Sequence, residues 1–214
     1  VNPDLLVYRL AAARPILSLM NATQLTTNEA TPPAKSPTTW NVDPLHTTVG
    51  FGIRHLMVTT VRGIFETVTG TVRFAADAPE WGEVDIAIDA ASASTHDGRR
   101  DEHLRNGKFF DVAAHPMIAF RSTSIRPGTN GTYAVTGGLT LRGVTGSVTL
   151  AVGELTRPQR DFRGVRRIGA SATGKLRRSD FGITYNIALE AGGIALADEV
   201  SITIDLSLVE EAAR

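Results

Sequence analysis

The chain has 214 residues, of which 42% are apolar and 21% charged, and Lys plus Arg balances Asp plus Glu at 22 each. This is the composition of a globular domain with room for a real core, and the even charge removes the basic excess expected of a nucleic-acid binder. With no cysteine in the chain, disulfide and thiolate chemistry are excluded, and a metal would have only histidines and carboxylates to hold it.

Residues 1–39 differ in composition from everything after them and read as a partly helical tail feeding a Thr/Pro linker at Thr31, Pro32, Pro33 and Pro37. Leu5, Leu6, Val7 and Leu10, then Ile16, Leu17 and Leu19, imitate a signal peptide. Arg9 and Arg14 interrupt that run, however, and Pro15 breaks a helix. The expectation is therefore no secretion signal and a cytoplasmic location, a periplasmic or extracellular one being the alternative. No stretch reaches the roughly 18 apolar residues that span a bilayer.

From Trp40 the pattern has period two, the mark of strands with one buried face. Val84, Ile86 and Ile88 alternate with Asp85 and Asp89, and Val148, Leu150 and Val152 alternate with Ser147, Thr149 and Ala151. Ile202, Ile204, Leu206 and Leu208 alternate with Ser201, Thr203, Asp205 and Ser207. Similar runs at Thr47–Met57, Val61–Phe74, Ile118–Ile125, Tyr133–Leu141 and Arg167–Arg178 bring the expectation to about eight strands, joined by turns such as Pro127–Gly131. A single helix is expected, capped by Asp97 and ending at Asn106-Gly107.

One short helix cannot cover that many apolar faces, so the sheet must close on itself or fold into a sandwich. Glycines inside the strands (Gly50, Gly52, Gly70, Gly137, Gly138, Gly146) favour bending and hence a barrel. An eight-stranded barrel is either filled by side chains or just wide enough for one ligand, and small inward residues leave the hole.

The ordered motifs carry a resemblance. They are Trp40-Asn41-Val42-Asp43-Pro44-Leu45-His46, Val49-Gly50-Phe51 with His55, Gly63-Ile64-Phe65, Arg100-Asp101-Glu102-His103-Leu104, Phe109-Phe110-Asp111-Val112 and His115–Phe120. Gly138–Thr145 and Arg178-Ser179-Asp180-Phe181-Gly182-Ile183 complete the set. Together they resemble the YceI-like, polyisoprenoid-binding domain proteins from Trp40 to about Leu208. Thr47 stands where that family usually has serine, and it keeps the hydroxyl.

The resemblance implies an all-β fold: an eight-stranded antiparallel, extended lipocalin-like barrel over residues 40–211, with one short helix near its mouth. It further implies a bound polyisoprenoid, a polyprenyl phosphate or isoprenoid quinone, with no other cofactor, no catalysis and a carrier or storage role. Transient membrane contact and a homodimer through an outer barrel face are the expected associations, and nucleic acid is not. An enzyme acting on a small apolar substrate, or a ligand-free interaction module, are the alternatives. The tunnel lining is expected from Phe51, Ile53, His55, Phe65, Ile86 and Ile88, from Leu104, Phe109 and Phe110 at the mouth, and from Phe120, Leu141, Val148, Leu150, Phe181 and Ile204.

Several polar residues invite other readings. Arg100–Leu104 gathers an acid, a base and a histidine, but Asp101 and Arg105 are spaced for i,i+4 ion pairing and Leu104 for an apolar anchor. Phe109 and Phe110, if extended, point to opposite sides. Asp180 reads as a charge partner or cap at the rim. His46 and His55 fall on opposite faces of a regular strand, which disfavours a two-histidine metal site. His55, aligned with Val49, Phe51 and Ile53, reads as a core residue or as a contact for a polar head group. Arg157, Arg160, Arg163, Arg166 and Arg167 form a basic loop diluted by Glu154 and Asp161, expected to be solvated. There is no G-x-S-x-G and no nucleotide-binding glycine motif.

Overall fold

The computed structural model describes residues 35–188 and 194–212. Of the tail and linker expected over residues 1–39, residues 1–34, with the whole signal reading, lie outside them, and Thr38 and Thr39 belong to the first strand. The alternating segments form β1 (Thr38–Val42), β2 (Thr48–His55), β3 (Thr59–Phe65), β4 (Val68–Ala75), β5 (Ala78–Asp89) and β6 (Ala93–Ser94). After the helix α1 (Gly98–Arg105) come β7 (Met117–Pro127), β8 (Tyr133–Leu141), β9 (Val144–Val152), β10 (Gln159–Arg160), β11 (Arg166–Arg177) and β12 (Leu196–Glu210).

Eight of these strands close a ring. β1, β4, β5, β7, β8, β9 and β11 pair in succession, all antiparallel, and β12 joins β11 back to β1. The expected eight-stranded antiparallel barrel is therefore present, with a single short α-helix among the described residues. β2 follows β1 along the same edge of β12, and the β2–β3 hairpin extends the wall beyond the ring. The run Val61–Phe74 expected as one strand is two. It breaks at Glu66-Thr67, where both backbone N–H groups turn to Ser92, because the chain leaves β2 to pair with β1 and β5.

The inward faces are the apolar alternates, and one strand leaves them short. On β11, Ala170, Ala172 and Gly174 face Leu206, Ile204 and Ile202 across the pair, so small residues stand where bulk would fill the bore. Curvature has local causes. Gly70 holds φ +147°, and a Cβ there would lie 2.2 Å from the Asp85 carbonyl oxygen. β7 and β8 slip register between Ser122 and Ser124, a bulge that bends the wall.

α1 starts where expected, with Asp97 Oδ1 accepting from the Arg100 N–H at 3.1 Å. The expected Asp101–Arg105 ion pair does not form. Buried Asp101 accepts instead from the Thr95 amide (2.8 Å) and hydroxyl (2.5 Å), while Arg105 donates to the Ala91 and Ala93 carbonyls. Both side chains anchor the helix to the segment before it instead of to each other. Phe109 and Phe110 do not diverge either. Their segment is a turn, with the Phe109 N–H on Asn106 O and the Phe110 N–H on Leu104 O, and both rings enter the barrel.

The basic loop is also more structured than a solvated one. Arg167 pairs with Asp43, and its Nε donates to Asp161 at 2.9 Å, while His46 Nδ1 lies 2.8 Å from the same Asp43 carboxylate. This ties the β1–β2 connection to the β10–β11 hairpin. Burial alone would raise the Asp43 pKa, but the bonds from Arg167, His46 and the Leu45 amide outweigh it and hold the carboxyl below its usual value. A depressed carboxylate stabilises the fold above its unfolded pKa and stops doing so as pH falls through the folded one. Asp43→Asn should cost about 1–2 kcal/mol at neutral pH, a modest figure because Arg167 is partly exposed. Thermal unfolding followed from pH 7 to pH 3 should show the wild type losing more stability than the variant.

Candidate functional site

The ring encloses a cavity of about 690 Å³, within the range of small-molecule sites. Its walls take inward residues from around the barrel: Ile86 and Ile88 of β5, Phe120 of β7, Leu141 of β8, Val148 and Leu150 of β9, Ile204 of β12. Register gives its extent. The lining includes Leu196, next to His55, and Leu208, next to Val42. Twelve residues of strand separate them, about 40 Å of chain and about 30 Å along the axis at the usual tilt. The cavity is a bore along the barrel, not a dimple in one end.

Two aromatic clusters stand at the helix end. Phe51, Phe65 and Phe110 meet with ring centroids 5.3–6.2 Å apart. His103, Phe109 and Tyr185 meet at 5.0–5.5 Å. Phe51 lies over Gly63, where a Cβ would sit 2.4 Å from its ring, so the glycine makes room for the aromatic. His55, Ile53 and Leu104 line the same end.

Every residue expected in the lining faces the cavity except Phe181. That ring sits on the 3₁₀ turn Arg178–Phe181 and is 2% exposed. It covers Gly146, where a Cβ would come within 3.0 Å of it, and so fills a notch in β9 at the barrel's end without reaching the bore. The period of the strands carries no information about a turn residue.

Polar lining residues are few, and most lie at the helix end: His55, Thr59, Thr95, Arg100, His103, Tyr185 and Arg178. Arg178, read from sequence only as part of a turn motif, is the structural centre of this group. Its guanidinium is buried and donates to the carbonyls of Ala197 (2.9 Å), Ile183 (2.8 Å) and Tyr185 (2.8 Å). Burial pulls its pKa down, partly offset by the field of Asp198, and an arginine so shifted still stays charged. Asp180 does not cap this turn. Asp198 does, accepting from the Ser179 amide and hydroxyl and from Arg177, bonds that keep its carboxyl well ionised. On the helix, Arg100 donates from Nε to Thr95 Oγ1 and from Nη2 to Thr95 O, at 2.7 and 2.9 Å.

Among the described residues the lining carries no Asp or Glu and no Ser, Cys or Lys. The lining histidines are His55 and His103, and no carboxylate of the lining orients either one; the Thr95 hydroxyl, also in the lining, is bonded to Asp101 behind it. His46, the other histidine considered for a metal, lies in the β1–β2 connection on Asp43, away from the lining.

Residues 40–208 match the YceI-like domain family. The chain is 34% identical over 166 residues to "Protein YceI" of Salmonella newport (strain SL254), covering 78% of this chain and 83% of that one. Its fold is similar to that of BcnA from Burkholderia cenocepacia (TM-score 0.66, 23% identity, 78% of this chain and 98% of the other). It is also similar to a structure from Saccharophagus degradans described as a polyisoprenoid binding domain (TM-score 0.59, 16% identity, 81% and 99% covered).

Arg178→Met should leave three carbonyls without their donor and lower stability by about 2–4 kcal/mol. Calorimetry would give the loss. Hydrogen exchange should quicken at 183–188 and 194–197 before it does in the barrel strands.

Proposed function

The chain belongs to the YceI-like domain family, and from that membership and its hollow apolar bore we propose that it binds a long-chain polyisoprenoid lipid, a polyprenyl phosphate or an isoprenoid quinone, as a carrier or store. The observation that carries this reading is the shape and chemistry of the cavity: long, narrow and walled almost wholly by hydrocarbon. An isoprenoid chain has nothing to offer a hydrogen bond, so its site must be free of unpaired polar atoms along its length. The similar Saccharophagus degradans structure, described as a polyisoprenoid binding domain, agrees with that ligand class.

The polar end gives the ligand an orientation. Arg100, His103, Tyr185 and Arg178 supply donors and positive charge with no acid in the lining, which suits the oxygens of a phosphate or the carbonyls of a quinone. The tail then runs down the bore past Ala170 and Ala172. Burying a long prenyl chain from water, at about 0.8 kcal/mol per methylene, would exceed the practical affinity ceiling of about 18–21 kcal/mol. A bilayer is the relevant reference, and moving the chain from one apolar medium to another leaves a balance small enough for exchange. A binding role is supported by the lining, in which neither His55 nor His103 is paired with a carboxylate of the bore.

Native mass spectrometry of the purified protein, with organic extraction of what it carries, should find a prenyl lipid at up to one per chain. Ala172→Phe places a ring in the bore opposite Ile204 and should cut that occupancy at least about tenfold, with a melting temperature equal to or above wild type. Protein from a lipid-replete host that is empty, and that takes up neither polyprenyl phosphate nor quinone on incubation, would refute the reading.

A further inference from the structure

We infer that the tip of the β2–β3 hairpin is a membrane-docking element that seats the helix end of the barrel on an anionic bilayer. The inference rests on the lipid-binding reading for its purpose, but its observations are independent of it.

The tip breaks two rules at once. In the turn His55–Val58, closed by the Val58 N–H on His55 O at 3.0 Å, Leu56 and Met57 hold φ of 51° and 57°. Hairpins normally give such left-handed positions to Asn-Gly, because a Cβ is penalised there. The same turn exposes its apolar side chains, Met57 at 64% and Val58 at 80%. Neither the backbone nor the core gains from this choice. Strain and apolar exposure at one point are the signature of a contact made outside the fold.

The tip is also continuous with the bore. The Leu56 N–H donates to Ala195 O at 2.7 Å and the Ala195 N–H to Ile187 O at 2.9 Å, so Ile187 and Ile194, both exposed, belong to the same lip. Ile187 is 55% exposed and lines the cavity as well. A molecule leaving the bore here passes from one apolar surface to another.

Charge selects the partner. From Thr48 to Phe65 the hairpin carries Arg54 and Arg62 and no acid. Both arginines are exposed. Of the β12 acids, the two nearest the tip are occupied, Asp198 by Arg177 and Glu199 by Lys175, and the exposed Asp205 lies at the far end of the hairpin, opposite Thr48. Apolar side chains backed by cations are what an interfacial element presents to anionic lipid. No helix among the described residues is long and apolar enough to cross a membrane, and the contact inferred for the tip is one of surface insertion. The rival element is Phe162, 93% exposed beside Arg160 and Arg163 in the β10–β11 hairpin at the other end. That end also exposes Leu45, at 87%, in the β1–β2 connection tied to the same hairpin, but both lie distant from the lip.

The test is flotation of the full chain with vesicles of phosphatidylcholine alone and of phosphatidylcholine mixed with phosphatidylglycerol. Wild type should float with the mixed vesicles and lose binding as salt is raised. The double variant Leu56→Asn, Met57→Gly should melt no lower than wild type, since it relieves the turn, yet bind at least about tenfold more weakly. Arg62→Gln should weaken binding to the mixed vesicles about fivefold and leave the neutral vesicles unaffected. Phe162→Ser should change nothing. The inference is overturned if wild type ignores both vesicles, if Phe162→Ser abolishes binding while the double variant does not, or if sedimentation shows the double variant splitting a dimer into monomers. Lipid occupancy by native mass spectrometry is read on the same samples. A protein that docks but is empty and takes up neither polyprenyl phosphate nor quinone on incubation refutes the lipid reading alone, and a loaded protein that does not dock refutes this one alone.

Discussion

β12 is the strand on which the molecule closes. Its fifteen residues pair with β11 from Arg167 to Arg177 on one edge, and on the other they hold β1 and then β2 end to end. A sheet that meets itself in this way has no free edge in its ring, and it has an inside whose width is set by strand number and tilt instead of by side-chain volume. With eight strands the inside can still be packed. Whether it is packed depends on the inward residues, and β11 contributes alanine, alanine and glycine at three successive inward positions. Closure by β12 together with the small residues of β11 produces the bore.

A hollow interior changes what the polar groups must do. In a packed core an arginine would need a carboxylate or would be excluded. Here Arg178 is held by three backbone carbonyls, Arg100 by Thr95, and the acids nearby are engaged on other partners: Asp101 on Thr95, Asp198 on Ser179 and Arg177. The guanidiniums keep their charge without a neutralising acid in the lining. The result is a donor-rich zone concentrated at the helix end of a largely hydrocarbon tube, with Arg73 and Tyr133 as the polar lining residues outside it. Asymmetry of this kind orients an amphiphile end to end, which a uniformly apolar bore could not do.

The barrel was legible in the sequence because period two survives whether the inward face meets protein or an empty bore. Ile202, Ile204, Leu206 and Leu208 read the same way in either case, and the alanines and glycines hinted at which case applied. Features depending on contacts distant in sequence were not legible. Asp43 meets Arg167, and Arg105 meets the carbonyls of Ala91 and Ala93, through folding that no spacing rule encodes. Asp101 and Arg105 had the right spacing for an ion pair, yet each found a nearer backbone or hydroxyl partner. Phe181 was expected inward as the large apolar residue of the Arg178-Ser179-Asp180-Phe181 turn, but a turn residue has no strand parity to inherit. Arg178 was hidden for the converse reason: a buried arginine reads in sequence like an exposed one.

The ends of the barrel divide the remaining work. Away from the helix, Trp40 stacks on Phe74 at 6.2 Å beneath the guanidinium of Arg166, which is itself paired with Glu210 at 2.6 Å. That end is built from aromatic stacking and fixed charge pairs. The helix end is built from turns: the hairpin tip with its left-handed Leu56 and Met57, the segment Asn106–Phe110, and the 3₁₀ turn anchored by Arg178. Turns open at lower free energy than ladders do, since fewer bonds must break together. A guest inside the bore would complete the apolar contacts the wall lacks and stabilise the whole ring by mass action, while exchange would require only the turn-built end to loosen. On the binding reading proposed above, the division would let a fully closed barrel, whose ring has no edge to part, admit and release a molecule nearly as long as itself.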